Sequence, residues 1–408
     1  MRILLLSQWF QPEPFFKGLP FAGALRDRGH EVEVLTGFPN YPGGHLYPGY
    51  EVKSHQREVM DGIGVIRVPL YPSHDTSVIG RIANYASFAL CAATTGTVLT
   101  RPADVVYVYH PPGTVGLPAI IHRLLKGIPF VYDIQDLWPD TLSATGMFNN
   151  RAAGGLVHRW CDIVHRMAAR IVVLSPGFKE VLVGRGVPRE KIHVIYNWTH
   201  ETPLPSESQC ATFAEQSGMA GRFNVVFAGT MGKAQALDAV LDAAHRISSK
   251  LPLVQFVFVG GGVELQHLRT LADDKRLGNT LFIPRMSAEE IGKVLGAADV
   301  LLVHLRDDPL FQITIPSKTQ AYLYAGRPIL MAVRGDASRL VTEAGAGLCC
   351  EPENPDHIAD AVENFYHMPP SQLKQMGENG RRYYLEHLSF QAGVSRFERL
   401  FADVVEST

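Results

Sequence analysis

The chain has 408 residues, more than one hydrophobic core sustains, so two domains are expected. Apolar residues make up 46% and charged residues 19%, an ordinary globular balance with ample material for a core. A net charge of −2 excludes the strong basic excess of a nucleic-acid binder. Residues 1–200 hold 19 Lys and Arg against 15 Asp and Glu, and the remainder holds 19 against 25. The mildly basic first half suits an anionic partner or a membrane surface, or is drift in surface charge. Five cysteines without metal-site spacing point to a reducing compartment.

The opening apolar run is too short for a leader peptide and reads as a first buried strand. The runs 3–6, 31–35, 65–68, 105–109, 130–132 and 171–174 are rich in β-branched residues, as expected of strands covered on both faces. Helix-length stretches such as 19–28 and 154–169 lie between them, and this alternation predicts a doubly wound parallel sheet. Residues 82–100 carry no charge. Asn84, Ser87, Gly96 and four threonines lower their hydropathy, so a buried or surface-docked helix is expected rather than a spanning one. The Pro- and Ser-rich stretch 200–208 reads as a linker. Strand candidates then resume at 224–228, 255–259, 280–283, 300–304, 328–332 and 348–350. Ser389 is placed to cap a last helix whose Phe390, Val394, Phe397, Phe401 and Val404 share one face. The expected divisions are 1–198, a linker region 199–222, a second domain 223–386 and a terminal helix 387–408.

The loop after the first strand, residues 7–18, has one glycine, two prolines and four large aromatics. It cannot wrap a pyrophosphate as a Gly-x-Gly-x-x-Gly loop does. Gly18 before a helix offers amides to an anion or is a turn glycine. His110-Pro-Pro-Gly follows a strand and points a donor toward the ligand end of the sheet. Asp133, Asp136, Trp138 and Asp140 follow the next strand; carboxylates accept from sugar hydroxyls and an indole stacks on a sugar face, while Asp136 and Asp140 also suit helix capping. In the second half, Gly229-Thr230-Met-Gly232-Lys233 joins a strand to a helix, and glycines there admit a phosphate to the backbone. Gly260-Gly261-Gly262 is a second such cluster. Pro316-Ser317-Lys318-Thr-Gln320 opens a helix whose amides, hydroxyl and ammonium suit a diphosphate. No His, Asp, Glu or Cys cluster has metal-ligand spacing.

With these segments placed, the chain resembles glycosyltransferase family 4. The resemblance runs through the Gly29-His30 segment, His110-Pro111, the Gly229 loop, the Gly260 cluster, Ala298-Asp299 and Ala325-Gly326-Arg-Pro328. It is nearest to a bacterial surface-polysaccharide branch that handles sugars of the N-acetylfucosamine type. The resemblance implies an α/β GT-B fold, two Rossmann-like doubly wound domains facing across a cleft, and a retaining, metal-independent transfer without a cofactor. It implies a UDP-sugar donor, with an N-acetylated or deoxy hexose, and a hydroxyl acceptor such as a lipid-linked saccharide. His110, Lys233 and Lys318 are the catalytic candidates. Gly18, Gly229, Thr230, Gly232, Gly260, Gly261, Ile283, Arg285, Pro316, Ser317 and Gln320 are the donor-side candidates, and Glu13, Asp133, Asp136 and Trp138 the acceptor-side ones. The expected setting is cytoplasmic, peripheral at the membrane through the first domain, with no nucleic acid. Two departures stand out. The family's glutamate pair falls on Ile313 and Ala321, and Gln235-Ala236 replaces its Lys-Gly. A nucleotide-sugar 2-epimerase and an inactive nucleotide-sugar-binding scaffold share the architecture and stay open.

Overall fold

The computed structural model describes residues 1–73, 78–140 and 151–407. The chain divides into two compact units, one of Met1–Leu174, Phe178–Ile195 and Val394–Thr408, the other of Ser175–Gly177 and Tyr196–Gly393.

The first unit holds β1 (Arg2–Leu6), β2 (Glu31–Gly37), β3 (Gln56–Met60), β4 (Ile63–Val68), β5 (Val105–His110), β6 (Phe130–Ile134), β7 (Arg170–Val173) and β8 (Ile192–Val194). They form one sheet in the order β3-β4-β2-β1-β5-β6-β7-β8. Every pairing is parallel except β3 with β4, a hairpin turned by Asp61 and Gly62, both at positive φ. That hairpin is absent from the sequence reading. The continuous apolar runs are explained by cover on both faces: β5 and β6 are buried throughout. One layer includes α1 (Leu19–Asp27), the other α2 (Val78–Leu99), α3 (Gly116–Lys126) and α4 (Arg151–Met167), which contact one another in sequence order. A single π turn, Ala92–Gly96, interrupts α2.

The second unit holds β9 (Phe223–Thr230), β10 (Val254–Gly261), β11 (Thr280–Ile283), β12 (Val300–His304), β13 (Ile329–Ala332) and β14 (Gly347–Cys349), all parallel, in the order β11-β10-β9-β12-β13-β14. Two apolar clusters cover its two faces. The stretch read as linker contains a helix, α5 (Glu207–Ser217). Ser206 accepts from the Gln209 amide and the Gln209 side chain accepts from the Ser206 amide, a reciprocal cap that starts a helix directly after the prolines.

The last helix, α6 (Phe390–Glu406), starts at Ser389, whose Oγ accepts from the Ala392 amide. Val394, Phe397, Phe401 and Val404 are buried, and Phe397 meets Phe21 and Tyr107 edge-on inside the first unit. Arg28 and His30 both reach Glu398 on the same helix.

Candidate active site

In an open doubly wound sheet, ligands bind beyond the carboxyl ends of the strands, where the strand order reverses. In the second unit that reversal lies between β9 and β12. Gly229 pairs with Gly260 and Thr230 with Gly261 across the ends of β9 and β10. Gly229 and Gly260 have φ of +143° and +134°, and a Cβ on Gly260 would lie 2.1 Å from the Gly229 carbonyl oxygen. Only glycine lets these two strand ends approach so closely.

Beside them lies a cavity of about 610 Å³ lined by Gly229, Thr230, Gly260, Gly261, Arg285 and Lys318 among others, and among the described residues no Asp or Glu contributes to its wall. Lys318 is on the first turn of α7 (Ser317–Ala325). Its Nζ is shielded from solvent, has no hydrogen-bond partner among the described residues, and sits 3.5 Å from the centroid of the Phe227 ring. A Cβ on Gly229 would be 3.3 Å from that Nζ. Burial without a counter-charge pushes the Lys318 ammonium down to about 7. The arrangement is electropositive and unsatisfied, as an anion site is before its ligand arrives.

Tyr322, one turn beyond Lys318, fixes the strand end. Its hydroxyl accepts from the Ala228 amide at 2.8 Å and donates to the Ala228 carbonyl at 3.2 Å. The sequence reading gave Tyr322 no role, although its spacing of four from Lys318 puts both on one helix face. His304 at the end of β12 holds the loop that follows β9. Its Nδ1–H donates to the Gln235 carbonyl, and its Nε2 accepts from the Glu353 amide.

Several donor-side candidates lie outside this cavity. Lys233 does not join this cavity. The turn Lys233–Gln235 folds back with Ala236 at φ +43°, which leaves Lys233 exposed and lining, with Gly232, a different cavity that also carries Asp238, Asp242, Glu264 and Glu353. Gln320 is buried, with its side-chain amide set against the Pro316 and Ser317 carbonyls of its own helix start. Pro316 and Ser317 are outside the cavity wall, Ser317 being exposed to solvent. Ile283 is also outside it, packed against the unit's core, while Arg285, Met286 and Ser287 just after β11 line it.

In the first unit the strand order reverses between β1 and β5, and His110 ends β5 there. It is 2% exposed, its Nδ1 has no partner among the described residues, and burial holds its imidazole neutral, with the pKa pushed down to about 3. Its ring meets Trp138 edge-on at 5.3 Å. The Trp138 carbonyl accepts from Arg185.

The acceptor-side carboxylates are largely structural. Asp133 is buried and accepts from Lys17 at 2.6 Å, Tyr107 at 2.6 Å and Gln135 at 2.7 Å. Glu13 is also buried and accepts from the amides of Phe10, Asn40 and Tyr41, yet burial raises its pKa to about 7. Neither offers oxygen to a sugar hydroxyl. Gly18 is buried, and Gln11 Oε1 accepts from the Leu19 amide at that helix start, which takes the first donor an anion would use. Asp136 is half-buried, and burial raises its pKa.

Comparison with known proteins gives the class of this chain. Residues 19–198 match the glycosyl transferase 4-like domain and residues 212–383 match glycosyl transferases group 1. The chain is a glycosyltransferase of the GT-B fold. It is 24% identical over 302 residues to the probable glycosyltransferase WbjE of Pseudomonas aeruginosa, covering 72% of this chain and 74% of that one. It is also 24% identical over 359 residues to the putative colanic acid biosynthesis glycosyl transferase WcaI of Escherichia coli K12, covering 85% and 86%. A crystal structure of Anabaena HepE in complex with UDP and glucose superposes with a TM-score of 0.68 at 16% identity, covering 98% of this chain and 99% of that one.

Proposed function

We propose that the protein transfers a sugar, with retention and without a metal or other cofactor, from a UDP-linked donor to an acceptor hydroxyl in bacterial surface-glycan assembly. The donor sugar in this reading is an N-acetylated or deoxy hexose, and the acceptor a lipid-linked saccharide. The carrying observation is the unpartnered Lys318 ammonium over glycine strand ends in a cavity with no acidic wall residue. The costly moment of transfer is charge separation, when the sugar becomes cationic and the diphosphate departs. A preorganised ammonium and glycine-loop amides on the leaving group lower that barrier. The missing acidic pair at Ile313 and Ala321 is consistent with a leaving phosphate that itself takes the acceptor proton. Neutral His110, with a free ring nitrogen, serves as a hydrogen-bond partner for the donor sugar. HepE binds UDP, and WcaI carries a polysaccharide-assembly name, which supports the donor and the pathway class. The matches are to transferases, which favours transfer over the epimerase and scaffold readings.

A thermal-shift panel of UDP-, GDP- and ADP-sugars tests the donor, because a ligand that binds only the folded state raises the midpoint. UDP-sugars are expected to raise it most, and the shift is expected to vanish in Lys318→Met. A GDP-sugar shift exceeding that of every UDP-sugar sinks the donor assignment. Radiolabel appearing on an acceptor rather than in a free epimer separates transfer from epimerisation. Chelation by EDTA is expected to leave the rate unchanged.

A further inference from the structure

The cavity beside the glycine strand ends changes character along α7. At its first turn the Lys318 ammonium faces Gly229 and the Phe227 ring. Ala321 and Tyr322 follow Lys318 at spacings of three and four, and all three line the cavity. Such spacings place neighbours about 5–6 Å apart on one helix face. In a nucleoside 5′-diphosphate a single methylene joins the phosphates to the pentose. A diphosphate held by the ammonium therefore brings its pentose one turn along α7, against Ala321 and Tyr322.

A pentose hydroxyl taken out of water is rewarded only where a partner replaces the water. Five wall side chains form hydrogen bonds: Thr230, Arg285, Ser287, Lys318 and Tyr322. Arg285 and Lys318 only donate. The Tyr322 hydroxyl is committed to Ala228, accepting from its amide and donating to its carbonyl. Ser287 Oγ accepts from the Glu290 amide at 3.3 Å. Thr230 is exposed and ends β9 beside Gly229, on the phosphate side. At the pentose position α7 contributes the Ala321 methyl. Among the described residues, no wall carboxylate is present to accept from both hydroxyls of a ribose diol together. Met286, Ile291 and Leu295 add aliphatic surface to the same wall, which suits the C5-methyl of thymine as well as the bare edge of uracil.

We infer that the cavity does not read the pentose 2′-hydroxyl, so that it takes nucleoside diphosphate sugars of the ribo and the 2′-deoxyribo series alike, deoxythymidine-linked sugars included. This rests on the reading of the Lys318 cavity as the donor site and extends the class of donor it admits.

The test is calorimetric titration of the full chain with UDP, 2′-deoxy-UDP and deoxythymidine diphosphate, and with the ribo and 2′-deoxy forms of GDP and ADP. The dissociation constants of UDP and 2′-deoxy-UDP are expected to agree within about threefold, less than one neutral hydrogen bond typically contributes. Deoxythymidine diphosphate is expected within about tenfold of UDP. A site built around the hydroxyl would reject the deoxy form by up to about 10⁴–10⁵-fold. A deoxy penalty of about tenfold or more overturns the inference and leaves the uridine reading intact. Tighter binding of the guanine or adenine pair removes the uridine reading, and equal affinity within that pair still supports the inference. Binding of none of these nucleotides overturns both. Ala321→Glu supplies the missing acceptor, and with an unchanged melting temperature it is expected to prefer UDP over 2′-deoxy-UDP by about tenfold or more. A folded variant without that preference puts the pentose elsewhere and overturns the assignment.

Discussion

Each unit buries one lysine near the carboxyl ends of its sheet, and the two are handled in opposite ways. Lys17 is fully buried with Asp133 at 2.6 Å, and Tyr107 and Gln135 satisfy the rest of that carboxylate. Lys318 has an aromatic face and glycine backbone around it but no counter-ion. A buried cation that brings its own anion is part of the framework. One without an anion carries an uncompensated desolvation cost that a bound anion relieves. The contrast distinguishes a structural ion pair from a binding site where the residue type is the same.

The largest effect expected from this contrast is on folding. Lys17→Met strands the Asp133 carboxylate, and breaking one side of a buried pair costs about 3–5 kcal/mol, read by urea unfolding. A loss below about 1 kcal/mol would show that the pair is not the structural element described here. Lys318→Met is expected to do the reverse. Turnover falls about 10²–10³-fold, as when a transition-state donor is removed, while the melting temperature holds or rises. Full turnover in that variant would remove Lys318 from the leaving-group role.

Next in size is a pH effect. Lys318 is protonated below about 10.5 in the unfolded chain but only below about 7 in the ligand-free fold. Between those values the unfolded state holds more protons, so stability from this group rises with pH. Binding an anion requires the charged form, so affinity for a UDP-sugar, whose phosphates do not titrate there, falls across the same window. The expected slope above pH 7 is up to about tenfold per unit, measured by calorimetry, and absent in Lys318→Met. A flat wild-type profile would mean that the ammonium stays charged without ligand. The smallest effect is that of Tyr322→Phe, which removes two hydrogen bonds to Ala228 and is expected to cost about 1–3 kcal/mol of stability. A larger loss of donor affinity than of stability would show that it shapes the cavity.

Much of the fold was legible in the chain. The β-branched runs of β5 and β6, the Gly229 and Gly260 strand ends and the phenylalanine face of the last helix follow from local patterns with a physical period. The hairpin of β3 and β4 carried its signal in Asp61-Gly62 and was overlooked. The helix α5 was hidden by the prolines beside its capping box. Among the site candidates, Lys318 and the glycines were legible because a strand-loop-helix pattern implies an anion cradle, and they line one cavity. Lys233 lines a different cavity because a single turn with Ala236 at positive φ points it elsewhere, and no local rule announces that turn. Asp133 and Glu13 read as ligand groups because sequence shows residue type and not company. Asp133 meets Lys17 across 116 positions.

Periodicity and turn chemistry are properties of neighbours in the chain, so sequence determined the alternation of elements, the two nucleotide-type sheets and the glycine-bearing strand ends. Burial and pairing are properties of neighbours in space. Only the tertiary structure decided which lysine is neutralised and which is buried without a counter-charge among the described residues. It also decided that the helix at 78–99 keeps one face for the core and leaves the other bare.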